Sequence, residues 1–163
     1  MATTDVALRP ATEGDIPAII GLVRELALYE RDLDAAVATS ELMREALFGD
    51  RAVAYAVMAD VDGVSVGFAL YFFNFSTWTG RPGLYLEDLY VQPAMRGRGI
   101  GRELFSYLAR VALERRCGRF ELSVLDWNVD AIGFYEKLGG VAMDGWTVYR
   151  FGPDAIAAIA EVK

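Results

Sequence analysis

The sequence predicts an α/β (α+β) fold, one central sheet with helices on its faces. Two observations carry this. Segments with apolar residues at helical spacing alternate with segments rich in β-branched and aromatic residues. The chain has 163 residues, 54% of them hydrophobic and 24% charged, enough for one domain (1–163) with a sizeable core. No repeat, low-complexity tract or linker interrupts it.

Val6, Leu8 and the pair Arg9-Pro10 read as a short first strand stopped by proline. Ile16, Ile19, Ile20, Val23, Leu26 and Ala27 then recur at helical spacing. Asp15 or Thr12 suits the cap of that helix and Pro17 its first turn. A shorter helix fits 40–48, ended by Gly49. Strands fit 52–59 and 64–75, with the hairpin signal Asp62-Gly63 between them. Residues 76–83, with Gly80, Pro82 and Gly83, read as a loop, and 84–91 as another strand. Ile100, Leu104, Leu108, Val111 and Ala112 mark an amphipathic helix. A strand over 120–125 follows. Asn128 suits the cap of a helix that runs to Leu138 and stops at Gly139-Gly140. A last strand over 146–151 and a terminal helix over 153–162 complete the pattern.

Composition narrows the chemistry. With 16 Lys+Arg against 23 Asp+Glu, the formal net charge is -7. That argues against a nucleic-acid partner held by basicity and is compatible with a cationic one. Histidine is absent, which removes Ser-His and Cys-His triads, an imidazole base and every zinc site built on histidine; no metal is expected. The single cysteine, Cys117, excludes an intrachain disulfide and fits a reducing compartment. The first eight residues lack a basic segment followed by an apolar run, and no apolar stretch reaches about 18 residues. No membrane partner is expected, and the location is expected to be cytoplasmic.

The charge is unevenly placed. Between residues 25 and 50, Glu25, Glu30, Asp32, Asp34, Glu41, Glu45 and Asp50 stand against Arg31 and Arg44. Between 96 and 119, Arg96, Arg98, Arg102, Arg110, Arg115, Arg116 and Arg119 stand against Glu103 and Glu114. This split fits two ligands of opposite sign, or two ordinary solvated helix faces.

The sharpest motif is Arg96-Gly97-Arg98-Gly99-Ile100-Gly101, after a strand and at the start of a helix. Glycines there permit positive φ and close backbone approach, so successive N–H groups and the helix dipole can meet an anion. Arg96, Arg98 and Arg102 add positive charge at the same end, and the combination suits a pyrophosphate. It is not a Walker A loop, since no Lys-Ser/Thr follows. Arg102 occupies the position where a dinucleotide-binding turn has its third glycine. A glycine-rich turn with no ligand is the structural alternative. In the preceding strand the aliphatic residues are even-numbered up to Leu86 and odd-numbered from Leu89. One extra residue near Glu87-Asp88, a β-bulge, would produce this flip; a strand buried on both faces would too.

The strand, the Arg96-x-x-Gly99-x-Gly101 turn and the helix after it resemble the acetyl-CoA-binding motif of the GNAT superfamily of N-acetyltransferases. The resemblance spans nearly the whole chain, through Arg9-Pro10-Ala11-Thr12, Tyr85-Leu86-Glu87-Asp88, Asp126-Trp127-Asn128 and Phe134-Tyr135. Tyr29-Glu30, Ser76-Thr77-Trp78, Leu84-Tyr85-Leu86-Glu87-Asp88 and Gly145-Trp146 are similar to the diamine (spermidine/spermine) and thialysine N-acetyltransferases. The resemblance implies a mixed, mostly antiparallel sheet, splayed between the strands at 84–91 and 119–125, with acetyl-CoA in the gap. It implies that the backbone of Leu89, Tyr90 and Val91 holds the pantetheine arm and acetyl carbonyl. Arg96, Gly97, Arg98, Gly99, Ile100, Gly101 and Arg102 would hold the pyrophosphate. Glu121, Leu122 and Ser123, with Asn128, Val129, Asp130 and Ala131, match further CoA-contacting positions.

An alkylammonium, with a pKa near 10.4, must lose a proton before it attacks a thioester. With no histidine, a carboxylate acting through water is the natural base; the resemblance makes Glu87 the candidate, and without it Glu87 reads as a surface acid on an exposed strand face. Spacing alone makes Tyr135 a packing residue, with Ile132 and Leu138 on the same helical stripe. The resemblance makes it the proton donor to the leaving thiolate. It also makes Tyr29, Glu30 and Glu87 amine-binding residues. Asp144 stands where the subgroup carries glutamates before Gly145-Trp146, in a shorter loop with fewer acids, which favours short diamines or a lysine-like amine over long polyamines. Trp78 and Trp146 fit a pocket lining, or equally a core or dimer interface. Attack is direct in a ternary complex, which leaves Cys117 a packed thiol. A homodimer is implied. The alternatives are a transferase for another amine (an amino acid, an aminoglycoside or a protein terminus) and a CoA-binding module without catalysis.

Overall fold

Five strands lie side by side in chain order: β1 (Val6–Pro10), β2 (Tyr55–Val61), β3 (Val64–Ser76), β4 (Arg81–Val91) and β5 (Arg119–Leu122). The first three junctions are antiparallel and the last is parallel. The computed structural model describes residues 5–162, which divide between Ser123 and Val124 into two units; the sheet belongs to the first.

Strand alternation sends side chains to two cores. On one face Met58, Phe68 and Tyr90 pack against Ile16, Ile19, Leu22 and Leu26 of α1 (Ile16–Tyr29) and Leu47 of α2 (Ser40–Phe48). On the other, Val57, Ala59, Ala69, Leu84 and Leu86 pack against Ile100, Leu104 and Leu108 of α3 (Ile100–Glu114). Helices thus cover both faces, as the sequence predicts. Asp62 and Gly63 both adopt positive φ (51° and 77°), which makes the tight turn between β2 and β3.

Neither candidate cap bonds α1 through its side chain; Thr12 and Asp15 instead join across the short turn at 13–15 that precedes it. The Asp15 carboxylate accepts from the Thr12 N–H at 2.7 Å and from the Arg9 guanidinium at 2.7 and 2.8 Å. Arg9 also donates through Nε to Asp60 at 2.7 Å, tying β1, β2 and the entry to α1 into one knot. The Arg9 hydrogen bonds hold the Asp15 carboxyl well below the usual carboxylate range.

The phase break in β4 is a bulge. Leu70 faces Asp88 and Tyr71 faces Leu86, so Glu87 is the extra residue with no partner opposite. Leu84, Leu86, Leu89 and Val91 accordingly all pack on the α3 side, whereas Tyr90 packs on the α1 side. The parallel ladder runs from Gly83–Arg119 to Leu86–Leu122 and stops at the residue before the bulge. Beyond that point β4 continues to Val91 without β5.

Three elements differ from the sequence reading. β3 runs to Ser76 and β4 starts at Arg81, so the expected 76–83 loop shrinks to 77–80, closed by Gly80 N–H donating to Ser76 O at 2.9 Å. Pro82 and Gly83 signal a loop in isolation, yet Gly83 lies in the sheet because Asn74 and Arg119 fill the space a side chain would need. β5 ends at Leu122 rather than 125, since the bulge ends its ladder. No strand forms over 146–151. The aromatic and β-branched residues of that segment suit a strand, but the described part of the second unit offers no strand to pair with, and a lone strand has unpaired backbone groups.

The second unit carries α4 (Val129–Lys137) and α5 (Pro153–Ala160). Asn128 caps α4 through its side-chain oxygen, which accepts from Ala131 N–H at 3.3 Å. Gly139, at φ 93°, ends it, and Gly140 N–H donates back to Tyr135 O at 2.9 Å.

Gly83→Ala tests the sheet packing. Its Cβ would collide with Asn74 Oδ1 and come within 2.9 Å of Arg119 Cγ. The variant is expected to unfold at lower urea concentration, with a loss of about 1–3 kcal/mol.

Candidate active site

Where the ladder ends, β4 has an open edge. Gln92 N–H donates to Val66 O on β3 at 2.9 Å, so alternation turns the backbone groups of Val91 and Leu89 the other way, towards the edge that β5 leaves free. Leu89 and Val91 are the residues expected to meet a pantetheine arm. The Tyr90 and Ile100 side chains are 5% and 1% exposed, inside the two cores, so those residues can offer only backbone.

The glycine turn follows at the end of this edge. Gly97 and Gly99 adopt φ of 75° and 86°, and an added Cβ at Gly97, Gly99 or Gly101 would meet open space rather than protein. These glycines are therefore required by backbone conformation and by approach from outside, not by packing. The first helical bond of α3 is Glu103 N–H to Gly99 O at 3.0 Å, which leaves the N–H groups of Ile100, Gly101 and Arg102 with no carbonyl one turn back. Arg98 and Arg102 lie exposed beside them. A helix N-terminus with outward N–H groups and flanking guanidiniums fits a diphosphate.

The bulge also builds an acidic corner. Glu87 is exposed, at the unpaired position. Asp88 beside it is half-buried, and burial, with the Glu87 and Glu30 carboxylates nearby, pushes its pKa up from 3.8 to about 6. Glu30, the residue that ends α1, is itself pushed up by burial. Three carboxylates therefore converge from α1 and β4. The sequence reading took Glu30 and Glu87 and missed Asp88. The phase break was the available signal: an inserted residue turns its neighbour's side chain towards the α1 face. Tyr29, the last residue of α1, has its ring 4.9 Å from the Arg96 guanidinium.

Other predicted residues fall as follows. The Glu121 carboxylate pairs with Arg119 Nε at 3.0 Å and accepts from Asn74 Nδ2 at 3.2 Å. Ser123 Oγ and Tyr85 OH share a 2.6 Å hydrogen bond. Leu122 packs into the α3 core. Asn128, Val129, Asp130 and Ala131 form the start of α4, and Tyr135 lies on that helix with its ring edge-on to Phe134, centroids 5.3 Å apart. Asp144 lies between α4 and α5, as does Trp146. Trp78 is 91% exposed at the β3–β4 turn and is not a core residue. Burial pushes the Cys117 thiol up, which fits an unreactive packed cysteine.

A bulged strand that outruns its parallel neighbour, followed by a diphosphate-compatible turn, fits a site for an acyl-coenzyme donor. The family model for the acetyltransferase (GNAT) family matches residues 23–140. The chain belongs to that family and is an N-acetyltransferase. It is 39% identical to the thialysine N-epsilon-acetyltransferase of Sus scrofa over 166 residues, covering 95% of this chain and 97% of that protein. It is 36% identical to the Homo sapiens spermidine/spermine N(1)-acetyltransferase-like protein 1 over 164 residues, 94% of this chain and 23% of that longer protein. Among solved structures, an integron cassette protein from the mobile metagenome of V. cholerae superposes with a TM-score of 0.80 at 25% identity, covering 96% of this chain and 98% of that one.

The acidic corner has a pH signature. Asp88 has a folded pKa above its unfolded value, so the fold disfavours its ionised form and its contribution to stability falls as pH rises from 3.8 through about 6. Asp88→Asn is expected to unfold at higher denaturant at pH 8, by about 2 kcal/mol, and to match the parent near pH 4. Equal gains at both pH values would remove the electrostatic cause.

Proposed function

We propose that the protein moves the acetyl group of acetyl-CoA to a primary amine of a small cationic substrate, a diamine, polyamine or lysine-like molecule. The observation that carries the reading is the convergence of Glu30, Glu87 and Asp88 at the bulge that opens the strand edge. An ammonium is attracted there, and the edge leads directly to the glycine turn. The names of the relatives at 36–39% identity support the same substrate class.

In this reading Leu89 and Val91 backbone groups align the thioester, while Gly97, Gly99 and the N–H groups of 100–102 take the diphosphate. Arg98 and Arg102 add charge to that grip. Tyr29, Glu30 and Glu87 hold the amine; Asp144 of the second unit is added to them by the resemblance alone. Glu87, through water, takes the proton from the ammonium; the freed lone pair attacks the carbonyl carbon. The C–S bond breaks, and the Tyr135 hydroxyl gives its proton to the departing thiolate. Tyr135 lies in the second unit and its role here rests on the Phe134-Tyr135 resemblance. We further propose a homodimer and a cytoplasmic location, which the resemblance and the single cysteine support.

Release of free thiol from acetyl-CoA with a panel of amines is the test. Short diamines and lysine-like amines are expected to accelerate it most. If only amino-acid α-amines or aminoglycosides do so, the transferase stands and the substrate class falls. If no amine does so while CoA still raises the melting temperature, the chain is a binding module. Tyr135→Phe is expected to lower kcat by about 10²-fold or more, with acetyl-CoA affinity unchanged in a calorimetric titration.

A further inference from the structure

Arg96 opens the glycine motif, yet its side chain is engaged within the protein. Its guanidinium carbon lies 4.9 Å from the Tyr29 ring centroid and 5.5 Å from that of Tyr90, both within cation–π range. Its Nε–H donates to Val91 O at 2.9 Å, one of the backbone groups on the open edge. Next to it, Gln92 Nε2 donates to both oxygens of the Glu25 carboxylate, at 3.0 and 3.3 Å. The C-terminal half of α1, the end of β4 and the glycine turn are therefore joined through one cation, two rings and one carboxylate. Tyr29 and Glu30, at the end of α1, are the amine-holding residues of the reading above.

We propose that Arg96 is a positioning residue that couples the two substrate sites: seating a diphosphate on the turn fixes the Arg96 stack, and the stack fixes Tyr29 and Glu30 for the amine. The inference rests on the acetyl-CoA reading. Arg102, one helical position past Gly101, lies exposed at the turn itself. If Arg96 were only one more positive charge for the phosphates, removing Tyr29 would leave its contribution unchanged. Through the stack, a substitution at the amine end must instead weaken coenzyme binding, and coupling of this kind acts equally in both directions.

The test is a double-mutant cycle on the CoA dissociation constant, measured by titration calorimetry with Arg96→Met, Tyr29→Leu and the pair. Tyr29→Leu alone is expected to weaken CoA binding about two- to fivefold, the range of an exposed cation–π contact. The double variant is expected to lose less than the product of the two single losses. Tyr29→Phe, which keeps the ring, is expected to recover the affinity that Tyr29→Leu loses. The control cycle with Arg102→Met is expected to be multiplicative. A multiplicative cycle for Arg96 with Tyr29, or no recovery in Tyr29→Phe, overturns the coupling and leaves the acetyltransferase reading intact. Failure of the parent protein to bind CoA overturns both.

Discussion

One inserted residue governs the arrangement of this protein. Glu87 has no partner opposite it on β3, and three consequences follow from that single misfit. The side-chain phase flips, so that both Leu84–Leu86 and Leu89–Val91 feed the α3 core while Tyr90 reaches α1. The parallel ladder with β5 stops at Leu86–Leu122. Asp88 is turned into a half-buried position where its charge is disfavoured. A regular strand would have kept its ladder and its parity, and would have presented neither an open edge nor an acidic corner.

The bulge and the turn also divide the electrostatics. The net charge of -7 conceals two opposed regions a short run of chain apart: carboxylates at 30, 87 and 88, and guanidiniums at 96, 98 and 102. Left alone they would attract and close the gap between them. Arg96 is instead held by two aromatic faces and the Val91 carbonyl, none of which carries a formal charge. The nearest carboxylate of α1 in that cluster, Glu25, is taken by Gln92. The positive turn and the negative corner thus remain separately available to ligands of opposite sign.

Much of this was legible in the sequence because it is written in local pattern. Helical periodicity located α1 and α3, the Asp62-Gly63 pair located a hairpin, and the parity flip located the bulge to within a residue. The turn was legible because glycine at positive φ leaves a direct mark on sequence. What was not legible depends on neighbours distant in the chain. Pro82 and Gly83 look like loop residues until Asn74 and Arg119 are seen to need the space beside Gly83. The aromatic and β-branched residues of 146–151 look like a strand, but such composition reports side-chain preference and not the presence of a partner. Asp88 carried no signal of its own, since its shifted ionisation comes from burial and from carboxylates on another element. The Tyr29–Arg96–Tyr90 stack joins residues 61 and 67 positions apart from Tyr29 in the chain, and no local rule links them.

The absence of histidine gives the acidic corner its importance. A general base is more efficient the nearer its pKa lies to the working pH. Burial is the means by which a histidine-free site can bring a carboxylate towards that pH, and Asp88, at about 6, shows the environment that does so. Glu87 is the more exposed of the pair and has room for the water that would carry a proton from an amine. Its neighbour then contributes in a second way. An arriving ammonium favours ionised Asp88 and draws the shifted pKa down, so part of the attraction is spent on ejecting a proton from the corner. Binding of a cation and loss of a proton from Asp88 are therefore linked at this site.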